Sequence, residues 1–186
     1  MHGSLGTPPW GPIGTTVRPS VDFFRAWGRA DFNGDGIPDM TTRGLFAVDR
    51  IPIILGSRGG LESPAGYVGT GDGSRTSASA VADLNADGLG DIALEARGVE
   101  QVVLYLGTRS GFSSDPSARI AASGYQRGVG LSTPGDVDGD GFGDVLVARS
   151  TETGYSLQLI RGGPQASSLA LTAAFDSVPL SAALLE

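Results

Sequence analysis

Apolar residues in this chain fall in short runs that stop at glycine. "IPIILG" (51–56), "QVVLYLG" (101–107) and "YSLQLIRG" (155–162) are rich in β-branched and aromatic residues. Their composition and length predict strands. A shorter apolar run precedes the second and third, "IALEA" (92–96) and "VLVAR" (145–149), and a weaker one, "MTTRG" (40–44), precedes the first. Further strands are predicted at "AGYVGTG" (65–71), "SARIAASG" (117–124) and "SLALTAAF" (168–175), and a run such as "TSASAVADL" (76–84) leads into each polar segment. No stretch carries the 3.6-residue period of an amphipathic helix. Glycine (30) and proline (11) together fill about a fifth of the 186 positions, which suits short strands joined by many turns.

The polar segments repeat. "DFNGDGIPDM" (31–40), "DLNADGLGDI" (83–92) and "DVDGDGFGDV" (136–145) share one pattern: Asp, apolar, Asn or Asp, small, Asp, Gly, apolar, small, Asp, apolar. The copies begin 52 and 53 residues apart, and "LGSRGGL" (55–61) is echoed by "LGTRSGF" (106–112). Self-similarity at such a period marks a repeat architecture. The units are placed at 22–72, 73–125 and 126–178, with residues 1–21 as an irregular lead-in and 179–186 as a tail. Four strands per unit of this length predict an all-β chain, a propeller-like array of three four-stranded blades. Propellers typically close with about four to eight blades. Three therefore predict an open arc, a part of a larger propeller, or a ring completed by a second copy of the chain.

Carboxylates bunched in a tight turn repel one another, by about 1 kcal/mol for two unit charges 4 Å apart in water and more at lower dielectric. A divalent cation reverses that sign. The candidate donors are all oxygens, which select hard cations, and several carboxylates on a flexible turn suit calcium better than the stricter octahedron of magnesium. In each loop the side chains at positions 1, 3 and 5 point inward: Asp31, Asn33 and Asp35; Asp83, Asn85 and Asp87; Asp136, Asp138 and Asp140. The glycine at position 6 (Gly36, Gly88, Gly141) permits the sharp turn. The backbone carbonyl at position 7 (Ile37, Leu89, Phe142) is placed to face the ion, and the aspartate at position 9 (Asp39, Asp91, Asp144) closes the site. An EF-hand loop starts with the same residues but needs a bidentate Glu at position 12 and flanking helices. Here position 12 is Thr42, Leu94 or Val147. A plain Asx turn accounts for one such segment, but three in register favour about three calcium ions. These would take the formal net charge of −7 to about −1. The third loop holds four carboxylates where the others hold three, and is expected to bind tightest.

Charge and composition remove other classes. A net charge of −7 disfavours nucleic acid and anionic membrane as partners. No apolar run reaches the roughly 18 residues of a membrane span. The absence of cysteine removes thiolate metal sites and thiol nucleophiles. The single histidine, His2, sits in the lead-in, so a nucleophilic triad lacks its base.

The motif D-x-[DN]-x-D-G-x-x-D inside a four-stranded repeat resembles the FG-GAP repeats of integrin alpha chains and related bacterial surface proteins. The resemblance implies a β-propeller blade. It also implies calcium ligands at Asp31, Asn33, Asp35 and Asp39, at Asp83, Asn85, Asp87 and Asp91, and at Asp136, Asp138, Asp140 and Asp144. The Phe-Gly pair has only the loose echo "AWG" (26–28), and the Gly-Ala-Pro element is replaced by "TRG", "EAR" and "ARS". The expected role is a structural and binding scaffold of the adhesion type, without enzymatic activity, extracellular or on a cell surface, for a protein or glycan ligand. Two alternatives stay open. One is a lectin-like module stacking sugars on Trp27, Tyr67, Tyr105, Tyr125 or Tyr155. The other is part of a calcium-dependent polysaccharide-degrading enzyme.

Overall fold

A computed structural model describes residues 24–44, 49–97, 99, 101–121, 127–150, 154–165 and 170–179. These form three four-stranded antiparallel sheets, each built from strands consecutive in the chain. The first sheet contains β1 (Phe24–Ala30), β2 (Asp39–Gly44), β3 (Arg50–Ser57) and β4 (Gly60–Gly69). The second contains β5 (Arg75–Ala82), β6 (Asp91–Arg97), β7 (Gln101–Tyr105) and β8 (Ala118–Ala121). The third contains β9 (Arg127–Gly135), β10 (Asp144–Ser150), β11 (Gly154–Arg161) and β12 (Ala170–Pro179). The glycine-ended apolar runs are β3, β7 and β11, and each acidic segment joins the first two strands of its sheet.

Packing between sheets explains the strand patterns. β1 lies against β5, and β5 against β9, so the first strands adjoin in series. One core cluster joins Phe32, Ile51, Ile53 and Val68 of the first unit to Ile92, Leu94, Ala96, Val103 and Tyr105 of the second. The other joins Leu84, Ala93, Val102, Leu104 and Ile120 of the second unit to Val145, Val147 and Ile160 of the third. Successive side chains of a strand point to opposite faces. In β6, Ile92, Leu94 and Ala96 serve the first cluster and Ala93 the second. That strand is therefore buried on both faces, which is why Ile92, Ala93 and Leu94 are apolar in succession rather than alternating with polar residues. Fully burying one Leu or Ile side chain contributes about 1.5–3 kcal/mol, so these interfaces stabilise the array strongly.

Two polar contacts fasten the first unit to the second. The Tyr105 hydroxyl donates to the Gly69 carbonyl at 2.8 Å, and Arg119 Nη2 donates to the Thr70 carbonyl at 2.6 Å. Tyr105 is thus a packing residue with its polar tip satisfied. Among the other aromatic candidates, Tyr67 is 59 % exposed, while Tyr125 and the side chains of Trp27 and Tyr155 lie outside the described residues.

Candidate metal centre

The three loops close in identical register. Ala30 pairs with Asp39, Ala82 with Asp91, and Gly135 with Asp144. The connections 31–38, 83–90 and 136–143 are therefore equal in length and correspond position by position.

The position-1 carboxylate turns into its own loop. Asp31 accepts the N–H groups of Gly34 (2.6 Å), Asp35 (3.2 Å) and Gly36 (2.7 Å). Asp136 accepts those of Gly139 (2.7 Å), Asp140 (3.0 Å) and Gly141 (2.9 Å). Asp83 accepts those of Asp87 (3.1 Å) and Gly88 (3.0 Å). Wrapping backbone around one carboxylate takes two left-handed residues. Position 6 has φ of +81°, +84° and +92°, and position 4 has +76° at Gly34, +56° at Ala86 and +79° at Gly139. The sequence pattern identified position 6 as a turn glycine but read position 4 only as small. The position-5 carboxylate accepts the N–H of position 7, at 2.7 Å for Ile37, 2.8 Å for Leu89 and 3.0 Å for Phe142.

The position-9 aspartates do something the motif alone did not reveal. All three are buried. Their Oδ2 accepts the N–H of position 2: Phe32 at 2.7 Å, Leu84 at 2.7 Å and Val137 at 2.8 Å. Their Oδ1 accepts the N–H of the glycine at the end of the third strand: Gly56 at 2.8 Å, Gly107 at 2.7 Å and Gly162 at 3.0 Å. One carboxylate thereby ties the loop entrance to the second and third strands. Those positions also leave no room for a side chain. A Cβ on Gly56 would sit 2.3 Å from the Pro38 carbonyl, and one on Gly107 2.5 Å from that of Gly90. The signal was already in the sequence, since each third-strand run ends on this glycine. In the middle unit, burial pushes the Asp91 carboxyl up to about 7, with Asp87 and Asp83 adding to the shift and the two N–H donors opposing it.

The donor chemistry fits a hard divalent cation. Carboxylate oxygens of Asp136, Asp138 and Asp144 lie within 4.8 Å of one another, the one such acidic group among the described residues. In the first two loops position 3 is an amide, and it donates inward: Asn33 Nδ2 to Asp35 at 3.2 Å and Asn85 Nδ2 to Asp87 at 2.9 Å. Asp138 cannot donate. It accepts instead from outside the loop, with Arg161 Nε at 3.2 Å. Asp31 Oδ1 and Asp136 Oδ1 each accept two N–H groups, but the Oδ2 atoms accept one each and keep a lone pair for a metal.

Parts of the chain are similar in sequence to known proteins. Integrin alpha-PS5 of Drosophila melanogaster is 28 % identical over 63 % of this chain. Integrin alpha-PS3 of the same organism is 37 % identical over 39 % of it. Over these partial matches the repeats are similar to those of integrin alpha chains. The matched regions span 14 % and 7 % of the lengths of those two proteins. No protein-family model matches the chain. Among the described residues, no helix is long and apolar enough to cross a membrane.

Proposed function

We propose that this chain is a calcium-binding β-propeller module, with blades at 22–72, 73–125 and 126–178, that serves as a non-enzymatic scaffold of the adhesion type outside the cell. The observation that supports the reading is the threefold recurrence of one loop hydrogen-bond geometry, together with the close approach of the Asp136, Asp138 and Asp144 carboxylates in the third loop. The ligands are Asp31, Asn33, Asp35, Asp39 and the Ile37 carbonyl in the first loop. In the second they are Asp83, Asn85, Asp87, Asp91 and the Leu89 carbonyl. In the third they are Asp136, Asp138, Asp140, Asp144 and the Phe142 carbonyl. The integrin alpha relatives support an adhesion role and a surface location. The ion is structural: it neutralises carboxylates that otherwise push the first hairpin of each blade apart.

The chemistry the ion supplies is electrostatic clamping only. The protein's own residues fix the rest. The position-1 carboxylate organises the turn, and the position-9 carboxylate anchors it to the sheet. A ligand at 100 times its dissociation constant stabilises by about 2.7 kcal/mol per site. Calorimetric titration of chelated protein with calcium should show about three binding events. EGTA should lower Tm by several degrees, and magnesium should restore it only weakly. A flat titration together with a Tm indifferent to EGTA would refute the reading.

One observation favours a glycan as the ligand of such a scaffold. A cleft of about 460 Å³ between the first sheet and residues 109–114 holds the exposed ring of Tyr67, with Phe112 and Arg109 on its wall. An aromatic ring beside hydrogen-bonding groups suits sugar stacking. A glycan array probed with wild type and Tyr67→Ala separates this ligand class from a protein.

A further inference from the structure

Between β7 and β8, residues 109–114 leave the second sheet and form one wall of the cleft beside Tyr67. That wall is preformed. The Gly111 N–H donates to the Thr108 carbonyl at 2.8 Å, and the Thr108 hydroxyl donates to the Gly111 carbonyl. Arg109 and Ser110 therefore occupy the two corners of a closed turn, and Gly111 takes the positive φ, +95°, that follows it. Phe112 fastens the turn to the core. Its ring meets Phe32 edge-on, with centroids 5.3 Å apart, and Tyr105 at 6.4 Å. Beyond it, the Asp115 N–H donates to Ser113 Oγ at 3.2 Å.

The charge on this wall is out of character with the chain. Among the described residues, Arg109 is the one charged side chain lining the cleft, in a protein of formal net charge −7. No acid neutralises it: the ion pairs among the described residues join Arg50 to Asp49 and Arg161 to Asp138. The first acidic loop lies alongside, since a Cβ on Gly34 would come within 3.9 Å of Arg109 Cγ. Yet Asp31 and Asp35 turn their carboxylates onto N–H groups of their own loop, and neither pairs with the guanidinium. A guanidinium is a rigid fork of donors that holds a carboxylate through two parallel bonds. Across the cleft, β4 contributes the exposed ring of Tyr67, and the hydroxyls of Ser110 and Ser113 lie on the lining as well.

We propose that this cleft binds an acidic sugar, a uronate unit of a polysaccharide, with Arg109 holding the carboxylate and the Tyr67 ring covering the face of the pyranose. The proposal rests on the glycan reading above and names the class of glycan. Charge complementarity selects the acid: one unpaired fork of donors, and no described carboxylate on the lining to repel a sugar's own. Shape selects the sugar. A cleft of about 460 Å³ is the size of a site for a small ligand, whereas a stable protein partner covers about 1,200–2,000 Å² of surface. An acidic peptide would satisfy Arg109 but gives Tyr67 no ring to stack on.

The test is calorimetric titration of the full chain in millimolar calcium. The probes are trisaccharides of galacturonate, glucuronate and mannuronate, each beside its neutral hexose counterpart, and a tetraglutamate peptide. Blank titrations into buffer subtract calcium binding by the probes themselves. Wild type should bind at least one uronate about tenfold or more tighter than the matching neutral sugar, the scale of a charge-assisted hydrogen bond. Arg109→Gln should erase that preference and leave the neutral sugar's affinity unchanged. Tyr67→Ala should weaken both sugars, and added salt should weaken the uronate alone. Thermal melts confirm that the variants are folded, and the preference of wild type stands as a test even if one is not. Uronate and neutral sugar bound equally well would overturn the acidic class and leave the glycan reading in place. No binding of any sugar would overturn both. Tetraglutamate bound through Arg109 without need of Tyr67 would assign the cleft to an acidic peptide and overturn the proposal.

Discussion

The second and third loops share a register, most of a hydrogen-bond scheme and one sequence pattern, yet they sit in different surroundings. The second lies between two neighbours. Leu84 is sealed under the third unit, Gly90 is pressed against the first, and Asp91 is buried with both oxygens on buried N–H groups. The third has a neighbour on one side only among the described residues. Val137 is exposed, and the N–H groups that Asp144 accepts are only part-buried. The same motif is therefore asked to do two different things. In the middle of the array it is part of the core. At the far side it is an acidic surface loop whose fourth carboxylate, Asp138, is held by Arg161. The lesson is that the energetic weight of a repeat position is set by the junction it enters, not by the motif.

Truncating the position-2 side chain should expose this difference most sharply. Leu84→Ala removes a fully buried side chain from the second core cluster and should destabilise the protein by about 3 kcal/mol. Val137→Ala, at the matching position, should change stability by less than about 0.5 kcal/mol. Urea denaturation of both in calcium measures the gap. Equal effects would mean that the third unit has a neighbour in solution, or that the junctions are looser than the packing implies.

The carboxylate that ties the strands should follow the same gradient. Asp91→Ala leaves two buried N–H donors without an acceptor, at a cost of about 1–3 kcal/mol for each unsatisfied group in the worst case. We expect a total near 2–3 kcal/mol, and roughly half that for Asp144→Ala, whose donors can reach water. The comparison belongs in EGTA, so that loss of a metal ligand does not mask loss of the hydrogen bonds.

Acid sensitivity sharpens the contrast further. Burial raises the Asp91 carboxyl from an ordinary value near 3.8 to about 7, so the folded chain holds this proton more tightly than the unfolded one. The sign follows from linkage: this group's contribution is fully present below about pH 4 and is lost as pH rises through about 7. In EGTA, wild type should therefore lose stability between about pH 4 and 7, and Asp91→Asn should flatten that slope. Calcium should oppose the decline, because a cation favours the ionised carboxylate that burial disfavours. A wild-type slope unchanged by Asp91→Asn would show that Asp91 is already ionised at pH 5.

Much of this could be read from the chain. The apolar runs mark β3, β6, β7, β10 and β11, and β2 only weakly, because strands buried against a neighbouring sheet need continuous or alternating apolar residues. The acidic pattern marks the turns, because a loop wrapped around a carboxylate needs Asx residues and glycine at fixed offsets. What escaped is what depends on a third element. The bond from the Gly107 N–H to Asp91 spans 16 residues, and the contact of Gly90 with Asp31 joins two units. Periodicity along one strand carries neither. Likewise, Pro38 and Gly90 fill the same small position in the pattern, and only the junction shows that one can donate and fit while the other cannot.

The smallest effect we predict concerns backbone strain in the second loop. Ala86 is the one non-glycine residue with positive φ among the described residues, at +56°, where the other two loops place Gly34 and Gly139. Left-handed backbone costs an L-residue with a Cβ about 1–2 kcal/mol. Glycine relieves that strain but adds freedom to the unfolded chain, which returns part of the gain. Ala86→Gly should thus stabilise by less than about 1 kcal/mol in EGTA. The converse change, Gly139→Ala in the third loop, should destabilise by a similar amount, and both are readable as shifts of a degree or two to several degrees in Tm. Should Ala86→Gly prove destabilising, the second loop must hold Ala86 by a contact that outweighs the strain, and the middle unit would differ from its neighbours in the loop itself rather than only in what surrounds it.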